Sequence, residues 1–267
     1  MPAEKQILLS TCDLGIDVPG RLLVDALDVE FARGEFVAVL GRNGVGKTLA
    51  LSTLAGLRAP DRGRVTLDGN DIAVLKRQEI ATRLALLPQS VDDIFPSSVL
   101  DTVLIGRHPH IGRLRWESAE DNAITLDALR AMRVDGLAAR DVLTLSGGER
   151  RRVAVAQILA QAPEIYLLDE PTNHLDPQHQ LDVLRIFRRA ADDGSCVIAS
   201  LHDVNLASRY ADRCLLLYGD GRWELGNCDD ILTESRLEAL YGTPMEAVRW
   251  RSTRLFVAAG AAAANPE

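Results

Sequence analysis

Short runs of β-branched or aliphatic residues recur along the chain, the clearest being Phe36 to Leu40, Leu84 to Leu87, Ile165 to Leu168 and Val197 to Leu201. Each is followed by a glycine or polar turn and then by apolar positions at helical spacing. Strands that alternate with helices in this way predict an α/β layer with a largely parallel sheet. The stretch from Glu117 to Arg133 is different, placing Ile124, Leu126, Leu129 and Met132 among acids and arginines with no strand-like run, and it predicts a helical insert. From Ala258 to Ala264 the chain is almost pure alanine and glycine, closing on Asn-Pro-Glu. That composition has little apolar bulk to anchor it, and a frayed tail is expected.

With 267 residues, 47% apolar and 25% charged, the composition is that of a folded globular chain long enough to bury a sizeable core. The formal net charge of −8 repels phosphate backbones, which argues against nucleic acid as the main partner. No apolar run approaches the roughly 18 residues that span a bilayer, and Ile7 to Leu9 is too short for a secretory segment, so a cytoplasmic location is the default expectation. Cys12, Cys196, Cys214 and Cys228 stand far apart without a CxxC pair or a histidine at metal-ligand spacing, and are expected to be isolated thiols.

The strongest chemical signal is Gly41, Arg42, Asn43, Gly44, Val45, Gly46, Lys47 and Thr48, set between the strand-like FVAVL and the helix-like LALSTLAGL. This is a phosphate-binding P-loop in its proper context. Glycines let backbone N–H groups turn toward phosphates, and the following helix presents its positive end. Lys47 reaches the β and γ phosphates, and the Thr48 hydroxyl is a ligand for Mg²⁺. A second element, Ile165 to Glu170, is an apolar strand ending in adjacent carboxylates, Asp169 and Glu170. Alternation sends these two side chains in different directions, so that one can support a Mg²⁺ shell and the other polarise the attacking water.

The segment Leu145-Ser146-Gly147-Gly148-Glu149, followed by RRRVAVAQILAQAPEIYLLDEPTNHLD, closely resembles the signature motif and Walker B strand of ATP-binding cassette proteins. Gln89 in LLPQ resembles that family's Q-loop glutamine, Asp176 in NHLD its D-loop, and His202 in ASLHD its switch histidine. The resemblance runs from about Val24 to Leu232. It implies an α/β P-loop NTPase fold: a RecA-like core over about 1–90 and 161–235, an antiparallel β edge on its N-terminal side, and a helical subdomain over about 91–160. Residues 236–267 are left as a C-terminal extension with the frayed tail.

The family also implies that ATP and Mg²⁺ are the cofactors and that Glu170, His202 and Gln89 serve hydrolysis, with Thr48, Gln89 and Asp169 around the metal. Two cassettes are expected to pair head to tail, so that Ser146, Gly147 and Gly148 of one copy cover the γ-phosphate held by Lys47 of the other, with Asp176 nearby. Ser146 and Glu149 also fit a helix-capping box, and the two roles are compatible. Two departures from the family pattern stand out. No Phe, Tyr or Trp precedes Phe31, so Val18 or Pro19 stands where an aromatic residue usually stacks on adenine, and Leu49 follows Thr48 where a second hydroxyl is usual.

The segment DDIFPSSVLDTVLIGRHPHIGR resembles the permease-facing part of metal-chelate importer cassettes, and PTNHLDPQHQ resembles the iron-siderophore, haem and cobalamin group. Phe95, Val103, Leu104 and Ile105 are candidates either to receive a permease helix or to pack the helical insert. His108 and His110, with no third ligand nearby, fit a surface or interface role better than a metal site. An importer ATPase is thus expected, peripheral at the cytoplasmic face of the membrane, with integral permease subunits as partners and, indirectly, a periplasmic binding protein. The alternative is a soluble single-cassette ATPase of the iron–sulfur cluster assembly type.

Overall fold

The computed structural model describes residues 6–90, 96–112, 115–251 and 253–259. The chain opens with β1 (Ile7–Val18), followed by β2 (Arg21–Leu27) and β3 (Glu30–Ala32), each antiparallel to β1, and then enters β4 (Phe36–Leu40), the P-loop and α1 (Lys47–Leu54). It returns through β5 (Arg62–Leu67) and β6 (Asn70–Asp71) to complete an antiparallel sheet ordered β2-β1-β5-β6, with β3 beside β1. Next come α2 (Arg77–Arg83) and β7 (Leu84–Leu87). The helical insert follows as α3 (Val99–Leu104), a 3₁₀ turn over Ile105–His110, α4 (Ala119–Ala131) and α5 (Gly147–Gln161).

The chain then returns to the core through β8 (Ile165–Leu168), α6 (Pro177–Asp192), β9 (Cys196–Ser200), α7 (Val204–Tyr210), β10 (Arg213–Leu217) and β11 (Trp223–Asn227). The main sheet is ordered β11-β10-β4-β9-β8-β7, parallel throughout except for the β10–β11 hairpin. After it come α8 (Cys228–Ile231), α9 (Glu234–Tyr241) and a hairpin of β12 (Met245–Trp250) and β13 (Thr253–Ala258).

The continuous apolar runs of the sequence follow from burial on two faces. Val37, Val39, Ile165, Leu167, Ile198 and Leu215 face the antiparallel sheet and α1, while Phe36, Ala38, Leu40, Tyr166, Leu168 and Val197 face the helices of the other side. A strand covered on both sides has no solvent face to be polar.

The C-terminal extension departs from expectation. The expected boundary at 235 falls inside α9, where Leu237 and Leu240 are buried in the same core as Phe187 and Leu216. The hairpin, which had no strong sequence signal, is tied to α7 by Asn205. Its amide donates to Phe256 O at 3.0 Å, and its carbonyl accepts from Phe256 N at 2.8 Å. Of the alanine-rich tail, Ala258 and Ala259 are described and the residues beyond lie outside the described set.

The cysteines also differ from expectation. Fourteen residues apart, Cys214 and Cys228 meet in the core as free thiols with their sulfurs 3.0 Å apart. The β10–β11 hairpin doubles the chain back, a proximity that linear spacing conceals.

Candidate nucleotide site

The P-loop joins the C-terminal end of β4 to α1, at the edge where parallel α/β sheets place their ligand sites. Gly41 has φ +157, and a Cβ there would come within 2.5 Å of Leu217 O and 2.8 Å of Val45 Cγ2. Only glycine lets β4 turn so close to β10. The N-cap of α1 is Gly46, which offers no side-chain acceptor, and the first turn carries no acidic residue. The leading N–H groups of this helix are thus left for an anion.

A cavity of about 590 Å³ opens over this turn, lined by Val18, Arg21, Leu23, Asn43, Gly44, Gly46, Lys47, Thr48, Leu49, Gln89, Glu170, Asn173 and His202. Lys47 Nζ donates to Gly41 O at 2.9 Å and to Arg42 O at 3.2 Å, folding back over its own loop. Burial pushes the Lys47 ammonium below its usual pKa, while the charges of Glu170 and Asp169 act to keep its proton on.

Opposite Lys47 stands Glu170, 6% exposed and held from both oxygens. Its Oε1 lies 2.6 Å from His202 Nε2, and its Oε2 accepts from Gln89 Nε2 at 2.9 Å and from the Asn173 amide in a short contact. The residue sits at φ +48, a left-handed conformation unusual outside glycine, which turns it away from the line of β8. Ser200 at the end of β9 fixes that turn, accepting from Glu170 N at 2.8 Å and donating to Asp169 Oδ1 at 2.6 Å. The two adjacent carboxylates are thereby given different surroundings. Asp169 is 2% exposed beneath the loop, and Glu170 faces the cavity.

One buried guanidinium locks the back of the site. Arg151 on α5 donates to Pro88 O at 2.6 Å, Gln89 O at 3.3 Å, Asp169 O at 2.6 Å, Glu170 O at 2.8 Å and Pro171 O at 3.4 Å. The helical insert, the end of β7 and the end of β8 are thus joined through a single side chain. Burial lowers its pKa to about 10, against the raising effect of Asp169 and Glu170.

The expected site residues divide into three groups. Lys47, Thr48, Gln89, Glu170 and His202 converge on the cavity together with Asn43, Gly44 and Gly46, while Gly41, Arg42, Val45 and Asp169 support it from behind. Ser146, Gly147, Gly148 and Asp176 do not line it. Ser146 is the N-cap of α5, its hydroxyl and backbone N–H both donating to Glu149 Oε2 at 2.8 Å. Asp176 caps α6, accepting from His179 N at 2.9 Å and pairing with His179 Nδ1 at 2.8 Å. Arg21, Asn173, Ser200 and Arg151 were not singled out by the sequence reading. Only Asn173, three residues after Glu170, had a local cue.

Near the insert, Val103 is buried, Leu104 is half-buried and Ile105 is 48% exposed, so of these three Ile105 offers the most side chain to a partner. Phe95 lies outside the described residues. His110 Nε2 bonds Gln161 O at 2.8 Å, tying the 3₁₀ turn to α5. Among the described residues no cluster of three or more His, Cys, Asp or Glu is placed to hold a metal. Thr48, Gln89 and Asp169 are oxygen donors that fit a hard cation completed by substrate phosphates, as Mg²⁺ usually is.

A phosphate loop, a carboxylate held by a histidine and two amides, and the parallel sheet that carries them define a P-loop nucleotide hydrolase. The sequence profile of the ABC transporter family matches residues 24–173. The chain belongs to this family and is an ATP-binding cassette ATPase with the P-loop NTPase fold. It is similar to the hemin import ATP-binding protein of Pseudomonas putida, 46% identical over 228 residues that cover 81% of this chain and 85% of that protein. The cobalamin import ATP-binding protein of Halobacterium salinarum is 37% identical, with 87% of this chain matched to 58% of that one. Among solved structures, a chain of a metal-chelate type ABC transporter in an inward-facing conformation is 29% identical at a TM-score of 0.82, covering 96% of this chain and 98% of that one.

Proposed function

We propose that the chain is the ATP-hydrolysing subunit of an importer that takes up a metal chelate, either haem, an iron-siderophore or cobalamin. The observation that carries the hydrolytic part is Glu170, held by His202, Gln89 and Asn173 across the cavity from Lys47. Its carboxylate orients a water for attack on the γ-phosphate, and His202 takes up the charge that develops beside it. Mg²⁺ on Thr48, Gln89 and Asp169 would offset negative charge on the β and γ phosphates. The import part is supported by the relatives, whose names give hemin and cobalamin import.

Two copies pair head to tail. Ser146, Gly147 and Gly148 lie outside the cavity, with the start of α5 exposed, as a surface that closes a second copy's site requires. The functional division is a RecA-like core over about 1–90 and 161–235 and a helical subdomain over about 91–160, with α9 packed onto the core across the boundary at 235. A groove of about 240 Å³ where the subdomain meets the core, lined by Ile105, Pro109, Leu86, Pro88 and Ile158, receives a permease helix. Through Arg151, movement there reaches Gln89 and Glu170. The chain works from the cytoplasmic face of the membrane, and a periplasmic binding protein delivers the cargo. Among the described residues, no helix is long and apolar enough to cross a membrane.

Affinity purification of the tagged chain from detergent-solubilised native membranes tests this reading. Recovery with a stoichiometric polytopic permease supports the importer. Recovery from the soluble fraction with only cytoplasmic partners overturns it in favour of a cluster-assembly ATPase, with the hydrolytic chemistry unchanged.

A further inference from the structure

The wall that β1 and β2 give to the nucleotide cavity carries none of the hydrolytic groups. It consists of Val18, Arg21 and Leu23, and among the described residues no Phe, Tyr or Trp lines the cavity. A purine entering here finds two aliphatic side chains and one planar group, the guanidinium of Arg21.

Arg21 is exposed and tethered at one point. Its Nε donates to Gly219 O at 2.8 Å, and among the described residues this carbonyl is its only side-chain partner. Gly219 has φ +76, and a Cβ there would stand 2.7 Å from Arg21 Nη2 and 2.9 Å from Val45 Cβ. The guanidinium therefore packs against the backbone of the turn after β10, at a point that Val45 of the P-loop also approaches. The start of β2, this turn and the phosphate loop are held together there. Without a carboxylate partner, the charge of Arg21 is not already spent on an ion pair. A guanidinium is planar, delocalised and weakly hydrated, so it stacks on aromatic faces where an ammonium does not.

We propose that Arg21 is the base platform of the site, its guanidinium stacking on the purine of the bound nucleotide. The inference rests on the reading of the cavity as an ATP site, and it adds what sets the nucleotide preference. Stacking reads the face of a ring and not its hydrogen-bonding edge, so it separates large rings from small ones better than it separates adenine from guanine. GTP should compete within about tenfold of ATP, about 1.4 kcal/mol, with CTP and UTP weaker than either.

The test is equilibrium binding to the full-length chain, with ATP and inorganic tripolyphosphate as paired probes, for the wild type, Arg21→Ala, Arg21→Lys and Arg21→Trp. Tripolyphosphate reports an intact phosphate loop without a base and so controls for folding. Arg21→Ala should weaken ATP about tenfold and leave tripolyphosphate unchanged. Arg21→Lys, which keeps the charge and loses the plane, should resemble Arg21→Ala, while Arg21→Trp should restore ATP to within about threefold of wild type. An unchanged ATP affinity in Arg21→Ala overturns the proposal, as does a parallel fall of both probes, which would assign Arg21 to the phosphates. A wild-type chain that binds neither probe would instead remove the nucleotide reading of the cavity.

Discussion

Glu170 Oε1 and His202 Nε2 lie 2.6 Å apart, joining the end of β8 to the end of β9 across the mouth of the nucleotide cavity. The same carboxylate accepts from Gln89 and Asn173 through its other oxygen, so its direction is set by three strand ends and the loop that follows β8. As the proposed base, Glu170 contributes through its charge and its aim, and the two can be separated by substitution. Glu170→Gln preserves size and one acceptor oxygen but removes the charge and the acceptor for the water proton. We expect ATP binding to persist, turnover to fall by about 10²- to 10⁴-fold, and a nucleotide-trapped dimer to accumulate on size exclusion. A monomer with wild-type turnover would remove Glu170 from the reaction.

Asn173 offers the complementary experiment, because it touches the base without being one. Asn173→Ala leaves Glu170 Oε2 with the Gln89 amide alone. We expect kcat to drop about tenfold with KM for ATP little changed, the pattern of a group that orients the base in the transition state. If KM rises while kcat holds, Asn173 serves nucleotide binding instead.

Arg151 is predicted to matter to stability as much as to activity. Its guanidinium is the shared donor for five backbone carbonyls, Pro88, Gln89, Asp169, Glu170 and Pro171, at the junction of the helical insert with the core. Arg151→Ala leaves these acceptors buried with fewer partners, and we expect a loss of about 3 kcal/mol, read as a lower denaturation midpoint. Arg151→Lys should recover only part of it, since one ammonium cannot span the same fork of acceptors. A midpoint unchanged in Arg151→Ala would show that water takes over the carbonyls.

The contrast between Glu170 and Arg151 explains how much of the site was legible in the sequence. The P-loop, Asp169, Glu170, Gln89 and His202 follow apolar runs whose strands are buried on both faces, so pattern and chemistry coincide over a few residues. Arg151, Ser200 and Arg21 act through partners far along the chain, such as Pro88, Glu170 and Gly219, and nothing local distinguishes them from a helix arginine, a strand serine and a turn arginine. The β12–β13 hairpin was missed for another reason. Most of its residues are exposed and mixed in charge, and Phe256 is its one fully buried side chain, too little to produce a periodic signal. The Cys214 and Cys228 contact shares the cause of Arg21, since a hairpin creates it.

Acid sensitivity should localise to Asp121 in the helical insert. Its hydrogen bonds with the Ser118 hydroxyl and Arg107, together with the Ser118 backbone N–H, hold the Asp121 pKa at about 2, below the usual 3.8. The carboxylate is thus favoured in the fold. Its contribution is complete above about pH 4 and lost as the pH falls from there through about 2. Asp121→Asn, which also leaves the buried Arg107 without its counter-charge, should cost about 2 kcal/mol near pH 7. The gap in melting temperature from wild type should close as the pH approaches 2, and a gap constant with pH would assign the loss to packing.

Ser146 and Glu149 separate the two roles of the signature segment. In one chain they form a reciprocal cap, with Glu149 N donating to Ser146 Oγ at 3.3 Å and the Ser146 backbone N–H returning to Glu149 Oε2 at 2.8 Å. If capping were the whole role, Ser146→Ala would lower stability by about 1 kcal/mol and leave the specific activity of the folded protein near wild type, with Ser146→Asp, another good cap, recovering the stability. If the segment also closes a second copy's site, both variants lose hydrolysis while the isolated monomer binds ATP as before, and Ser146→Asp loses the most because its charge meets the γ-phosphate. We expect the second pattern, measured as turnover against monomer affinity at matched fractions folded. A large loss of monomer affinity in Ser146→Ala would instead place the serine in its own chain's site, against the position the fold gives it outside that cavity.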